Sequence, residues 1–317
     1  MKNLSAVLWR IIFLAILTGY FYGCQTTGKL NVDKGDPQYA HPEALASTDW
    51  LQKHLVDDNI RIVDCNVSFI NPDSYKKGHI PGAVSLEVMY SLSDPKGRVP
   101  FLILPKGQFE NLMGKLGIGN DTTVVVYDAF GGPWAARLWW ALLYYGHDNV
   151  KILNGGLKKW ITEGRQIETH VSIPALKIFK AAPQASLIAD IEDVKLAIKQ
   201  DNIYLVDALN VEHHVGTKPF HPSLAPAGHI PTAINIPGPS NVKKESGLFL
   251  SPVELKKHWS RLKAIPQDKV ITYCGGGYYG AFDLFALYQL GYKRISLYDG
   301  AWYEWISDKT RPIETGE

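Results

Sequence analysis

Cys274 is the residue whose setting points most directly to chemistry. It lies in the run Tyr273-Cys274-Gly275-Gly276-Gly277-Tyr278-Tyr279, after the apolar stretch Val270 to Tyr273 and before a helical pattern over Ala281 to Leu290 that Gly291 closes. A buried strand of this kind delivers the next side chain to the carboxyl edge of a parallel sheet, where open α/β folds bind ligands. Three successive glycines let the backbone curl with its N–H groups turned inward as a nest around the sulfur, and the helix start adds its positive end. Both effects favour thiolate over thiol. A cysteine with an unperturbed pKa of about 8.5 falls to roughly 3.5–7.5 in such a place. The same nest accepts an anionic substrate. A buried, inert cysteine before a tight turn is the competing reading. The strand, the three glycines and the helix start, in that order, favour the nucleophile. Cys65 has no such loop after it and reads as a small buried residue.

The elements that must position Cys274 occur twice. His79-Ile80-Pro81-Gly82-Ala83-Val84 recurs as His229-Ile230-Pro231-Thr232-Ala233-Ile234, and Ile62-Val63-Asp64 as Leu205-Val206-Asp207. Val124 to Tyr127 recurs as Val270 to Tyr273, and Gly155 with Trp160 as Gly300 with Trp305. Four pairs in one order at nearly one spacing are a duplication. In the second copy, Asp190 to Lys199 reads as a helix, Ile203 to Val206 as a strand, and Pro252 to Leu262 as a helix with Ser251 as N-cap. Val270 to Tyr273 and Ile295 to Leu297 are further strands. The first copy has Val124 to Tyr127 as strand and Ala135 to Tyr145 as helix, stopped by Gly146. Strands alternating with helices predict an α/β fold in which each copy is a parallel sheet with helices on both faces. The expected organisation is 1–24 as a signal segment, 25–39 as a tether, 40–168 as the first domain, 169–185 as a linker and 186–317 as the second domain. Asp128 stands where the second copy has Cys274, and a carboxylate cannot do thiolate sulfur chemistry. The first copy is therefore expected to wall the cleft, leaving one nucleophile per chain.

This duplicated pattern, with the cysteine in one copy, resembles the tandem-domain rhodanese family of sulfurtransferases. Gly78-His79-Ile80-Pro81-Gly82-Ala83 and Gly228-His229-Ile230-Pro231 resemble the family's amino-terminal motif, and Gly155 to Trp160 and Tyr298 to Trp305 its carboxy-terminal one. Tyr273 to Gly277 resembles its active-site loop. The likeness runs from about residue 40 to the end of the chain. It implies two tandem rhodanese-like domains. It also implies that Cys274 takes a sulfane sulfur from thiosulfate or 3-mercaptopyruvate as a persulfide and hands it to a thiol or to cyanide, with no cofactor.

Several features depart from the family pattern. Gly275, Gly276 and Gly277 form a neutral loop with no side-chain cation beside Cys274, which leans to mercaptopyruvate. Tyr278 and Tyr279 replace the usual Val-Thr; they either pack at the domain interface or shape the pocket. His213 stands where the family places an arginine for an anionic group. A histidine there is a pH-dependent anion contact, or else His213 and His214 are a solvated pair. The phosphatases of this fold carry an arginine six residues after the cysteine to clamp phosphate, and position 280 is glycine. A non-catalytic module that carries sulfur or binds a partner is the rival class. The histidines show no metal-ligand spacing, and His213 and His214 would point apart in a strand, so no metal site is expected.

Composition sets the outer limits. The 317 residues are 46% hydrophobic and 20% charged, ordinary for a globular chain of two domains, with a net charge of +2 that gives no general case for nucleic acid. Three cysteines exclude a disulfide scaffold. Lys2 and Arg10 precede or flank an apolar run over Ile11 to Leu17, the pattern of a secretory signal. Gly23-Cys24 fits a bacterial lipoprotein ending, with Cys24 as the lipidated residue, although Phe21 and Tyr22 depart from it. An uncleaved anchor and an ordinary signal are the alternatives. The expectation is an exported chain held at the outer face of the cytoplasmic membrane or in the periplasm.

Overall fold

The computed structural model describes Asp36, residues 38–219, His221 and residues 226–316. The first copy contributes β1 (Leu45–Ala46), β2 (Ile60–Asn66), β3 (Val84–Glu87), β4 (Thr123–Tyr127) and β5 (Val150–Leu153). The second contributes β6 (Ile188–Ala189), β7 (Ile203–Asp207), β8 (Ile234–Asn235), β9 (Lys269–Tyr273) and β10 (Arg294–Tyr298). The strands form two five-stranded sheets in the orders β1-β5-β4-β2-β3 and β6-β10-β9-β7-β8, the same topology twice. Every strand pair in both is parallel. The helices of the first copy are α1 (Thr48–Lys53), α2 (Ser74–Lys77), α3 (Val88–Ser91), α4 (Lys106–Lys115), α5 (Pro133–Tyr144) and α6 (Gly156–Thr162). Those of the second are α7 (Ile191–Ala197), α8 (Val211–His214), α9 (Pro252–His258), α10 (Tyr278–Gln289) and α11 (Ala301–Ile306). This is the α/β arrangement that the alternation of patterns predicts.

The central strands read as apolar runs because helices cover both faces of each sheet. On one face of the second sheet, Val194, Trp302 and Trp305 pack with Ile271, Tyr273 and Tyr298. On the other lies α10, and against α10 lies α5 of the first copy. Nearly every residue of both helices is buried, as a helix needs when it is held between a sheet and another helix. Trp139 meets the rings of Phe285 and Tyr288 edge-on, with centroids 4.9 and 5.2 Å apart. One continuous apolar core therefore joins the two copies.

The helix that follows the cysteine starts earlier than its apolar period indicates, at Tyr278 rather than Ala281, and α5 starts at Pro133 rather than Ala135. In each case a glycine with positive φ makes the turn at once: Gly277 at 86° and Gly132 at 129°. No spacer residues are needed. His213 and His214 lie on the short helix α8 and not on a strand, which corrects the reading that they point apart in extended chain.

The motifs present in both copies act on the backbone in the same way. Tyr127 donates to Asp64 at 2.8 Å and accepts from the Ile80 N–H at 3.2 Å. In the second copy the Tyr273 hydroxyl accepts from the Ile230 N–H at 3.1 Å. His79 Nδ1 faces the Tyr75 carbonyl at 2.7 Å, and His229 Nδ1 faces the His214 carbonyl at 2.8 Å. Trp160 and Trp305 donate their indole N–H groups to the carbonyls of Gln166 and Pro312 at 2.8 and 2.9 Å.

Between the sheets, residues 169–184 run without helix or strand along the first copy. The N–H groups of Lys177, Ala182 and Gln184 bond to the carbonyls of Gly114, Tyr145 and Tyr144 at 3.1, 2.9 and 2.7 Å. The segment read as a tether ends docked on the second copy: Tyr39 donates to the Leu250 carbonyl at 2.5 Å. Cys24 and the apolar segment before it lie outside the described residues. Among the described residues no helix is long and apolar enough to cross a membrane.

Candidate active site

In the second sheet the chain leaves β7 toward β8 on one side and leaves β9 toward β10 on the other, so the carboxyl ends of β7 and β9 flank the switch point. Cys274 emerges there from β9. It is free, buried and 3% exposed, and it packs with Ala208 and Leu209 at the end of β7. The Gly277 N–H points at its Sγ, with N···S 3.1 Å. The loop is also tied from behind: the Trp302 N–H at the start of α11 donates to the Cys274 carbonyl at 2.9 Å.

The first copy shows what this loop is built to hold. Asp128 occupies the equivalent place, fully buried, and its carboxylate accepts four backbone N–H groups, from Phe130, Gly132, Trp134 and Ala135, at 2.8 to 3.0 Å. A strand, a curled loop and a helix start thus make an anion cradle in both copies. The second copy fills it with a thiol.

The electrostatic balance differs from the sequence expectation. Burial pushes the Cys274 thiol up from its ordinary value, and the N–H groups of Gly280, Gly276, Gly277 and Tyr279 pull it only part of the way back. The nest was legible in the sequence, whereas the removal of water around it was not, and that removal is the larger effect. Asp128 follows the same rule, raised by burial in spite of its four donors. Cys65, inside β2, is pushed well above the usual range by burial and by the nearby Asp128 and Asp64 carboxylates, which suits an inert core residue.

The glycines divide their roles. Gly277 is in the left-handed region at φ 86°, and a Cβ placed on it would lie 2.7 Å from Nη1 of Arg137. Gly276 has no positive φ; there a Cβ would meet Cδ2 of Phe101 at 2.7 Å. At position 280 a Cβ would stand 2.8 Å from Leu297 and 3.1 Å from the Tyr273 backbone, which leaves no path for the arginine of a phosphate clamp.

Arg137 is the residue that sequence reasoning missed. The neutral loop suggests no cation at its side, yet this guanidinium from α5 lies directly beneath Gly277. It is fully buried, pairs with Asp299 of the second copy at 2.7 Å and donates to the Phe101 carbonyl at 2.8 Å. Its Nε and Nη1 have no hydrogen-bond partner among the described residues. The ring of Tyr278 faces it at 5.5 Å. The available signal was an arginine inside the otherwise apolar run Pro133-Trp134-Ala135-Ala136-Arg137-Leu138.

The two tyrosines also part company. Tyr278 is buried at the domain interface, its ring tilted against that of Trp134 with centroids 5.0 Å apart, and it donates to the Met89 carbonyl at 2.9 Å. Tyr279 is half-buried and borders the space in front of Cys274. That space is a cavity of about 240 Å3 lined by Cys274, Gly275, Gly276 and the two tyrosines. Its far wall consists of Phe69, Ile70, Met89, Phe101 and Trp134, all from the first copy. His213 is not among the described residues that line it; its Nδ1 faces the Lys218 carbonyl at 3.1 Å.

Residues 47–163 and 190–308 each match the family model of the rhodanese-like domain. The sulfur carrier protein TtuD of Thermus thermophilus is 35% identical over 289 residues, which cover 88% of this chain and 99% of that protein. The thiosulfate sulfurtransferase of Rattus norvegicus is 31% identical over 285 residues, covering 86% and 94%. Among solved structures, SseA from Escherichia coli, a 3-mercaptopyruvate sulfotransferase, superposes with a TM-score of 0.73 at 30% identity, covering 82% of this chain and 98% of that one. Two tandem copies of this domain, one with a cysteine in its anion cradle, place the chain in the rhodanese-like family, among the tandem-domain sulfurtransferases.

Proposed function

We propose that Cys274 is the sulfur-carrying residue and that the protein works through its persulfide. The observation that carries this is the cradle: the loop that grips the Asp128 carboxylate with four N–H groups in one copy presents a thiol in the other, with the Gly277 N–H 3.1 Å from Sγ. In the loading step, Sγ attacks the outer sulfur of a donor, and the bond from that sulfur to the rest of the donor breaks. With thiosulfate, Cys274–SH and thiosulfate become Cys274–S–SH and sulfite; with 3-mercaptopyruvate the other product is pyruvate. In the unloading step an acceptor thiol, R–SH, attacks the outer sulfur and leaves as R–S–SH, which restores Cys274–SH. The cradle donors lower the energy of negative charge on sulfur in both steps.

The preferred donor is 3-mercaptopyruvate. No lysine or arginine is among the described residues lining the cavity, and the Arg137 guanidinium behind the loop is paired with the Asp299 carboxylate, so a thiosulfate dianion meets no cationic side chain on the cavity wall. His213 is left out of this reading. A second reading, in which the sulfur passes to another protein, is favoured by the likeness to a sulfur carrier protein. The loop residues Gly275 to Tyr279 shape the donor site in either case. The apolar segment before Cys24 is proposed to export the chain, with Cys24 as its lipid attachment point; fatty-acid labelling that is lost in Cys24→Ser tests this.

The decisive experiment is intact mass after exposure to each donor. The wild type is expected to gain one sulfur atom that cyanide removes, Cys274→Ser to gain none, and Cys65→Ser to behave as wild type. Loading of Cys274→Ser to the wild-type extent would overturn the assignment.

A further inference from the structure

The cavity in front of Cys274 adjoins a second one of about 580 Å3, and the two share Ile70, Trp134 and Tyr279 as lining residues. The second lobe is continued by Phe130, Pro133, Pro239 and Val242. Ile70 and Phe130 are exposed large apolar side chains at its mouth. One cation borders it among the described lining residues, the exposed Lys244, which makes no ion pair with a described residue; its neighbour Lys243 is paired with Glu254 at 3.0 Å. The inner cavity of about 240 Å3 has room for a three-carbon donor such as mercaptopyruvate without the larger lobe.

We propose that the physiological acceptor is a small thiol with an apolar alkyl or aryl body and a terminal anionic group. Its sulfur reaches Cys274 through the inner cavity, its body lies across Ile70, Trp134 and Tyr279, and its anion meets Lys244. This rests on the reading of Cys274 as the sulfur carrier. Three observations support it. The walls are aromatic and aliphatic, so they recognise a ligand by removing apolar surface from water. The combined space has room for an organic molecule of several carbons, whereas cyanide or a two-carbon thiol would leave the outer lobe untouched. The unpaired charge stands in the outer lobe and not beside the sulfur, which selects a molecule with its thiol and its anion at opposite ends. The transfer is a thiol exchange: the R–S to sulfur bond forms, the Sγ to sulfur bond breaks, the acceptor's proton passes to Sγ, and no oxidant or reductant enters.

The test uses the full chain loaded with sulfur and follows loss of that sulfur by intact mass, at equal thiolate concentrations of mercaptoacetate, 6-mercaptohexanol and 6-mercaptohexanoate. Each methylene moved from water to an apolar wall is worth about fourfold. Two buried methylenes therefore give 6-mercaptohexanol more than a tenfold higher rate constant than mercaptoacetate, and the carboxylate raises 6-mercaptohexanoate several-fold further. Lys244→Glu, a surface change, is expected to abolish the advantage of 6-mercaptohexanoate over 6-mercaptohexanol, and Ile70→Ser to shrink the advantage of both over mercaptoacetate. Equal rates for mercaptoacetate and 6-mercaptohexanoate would overturn the proposal, as would unloading by a protein thiol but by none of the three probes. Failure of Cys274 to load at all would instead strike the reading on which the proposal rests.

Discussion

Gly277→Ala tests whether the Arg137 guanidinium is fixed beneath the active-site loop. Two effects act at this position. The residue has φ 86°, where an alanine costs about 1–2 kcal/mol relative to glycine. The new methyl would also sit 2.7 Å from Arg137 Nη1. Ordinary contact requires a retreat of about 0.7 Å. The guanidinium has little freedom to retreat, because Nη2 is held by Asp299 at 2.7 Å and by the Phe101 carbonyl at 2.8 Å, all of it buried. Overpacking of that kind adds roughly 1–3 kcal/mol, so the expected loss is about 2–5 kcal/mol. Gly164 supplies the control: it too has positive φ, 69°, but nothing lies within 4 Å of its Cβ position. Gly164→Ala should therefore show the backbone cost alone. Urea denaturation of both variants gives the difference, and sulfur loading followed by mass gives the functional effect, expected to be a fall of roughly ten- to a hundredfold for Gly277→Ala as the Gly277 N–H leaves Sγ. A Gly277→Ala variant no less stable than Gly164→Ala would refute the claim that Arg137 is locked against the loop.

Further outcomes are expected at other buried groups. Alkylation of Cys274 by iodoacetamide, read on the peptide that contains it, should rise with pH beyond the ordinary thiol range, because burial holds the thiol up; a plateau already reached at pH 7 would contradict this. Asp283, fully buried on α10 with Asn241 donating to it at 2.7 Å, is held well above the usual carboxyl range by burial. The unfolded chain releases that proton near pH 4 while the folded chain keeps it, so this group lowers stability as pH rises above about 4, by about 1.4 kcal/mol per pH unit until it too ionises. Asp283→Asn should flatten the pH profile of urea stability and stabilise the protein at pH 7; an unchanged profile would show that the acid is not protonated. Asp128→Ala strands four buried N–H groups and should cost about 3–5 kcal/mol in the same assay, with Asp128→Asn costing less because it keeps one acceptor oxygen; equal losses would refute this and mean that the cradle tolerates nothing short of two accepting oxygens.

The amino-acid sequence by itself determined the duplication, the α/β class, the strands and helices that flank the active-site loop and the position of Cys274 after a buried strand. These follow from contiguous patterns: an apolar run of four or five residues, a helical period, glycine at a tight turn. It also showed that Asp128 and Cys274 hold equivalent places. Tertiary structure alone decided the rest. Which of three glycines must be glycine depends on Arg137, 140 positions earlier in the chain, approaching Gly277. The direction of the Cys274 thiol's shift depends on how completely the first copy and the end of β7 exclude water from it, and no local pattern encodes that burial. His213 reads as an anion contact from its place in the chain, but α8 turns its ring to the carbonyl of Lys218. The apolar lining of the cavity comes from side chains as distant as Phe69 and Tyr279, which share a wall because α5 and α10 bury their faces against each other. Local sequence specifies which elements form and what each carries; desolvation, close approach and the shape of a pocket arise from residues far apart in the chain, and they exist only once the two sheets are packed together.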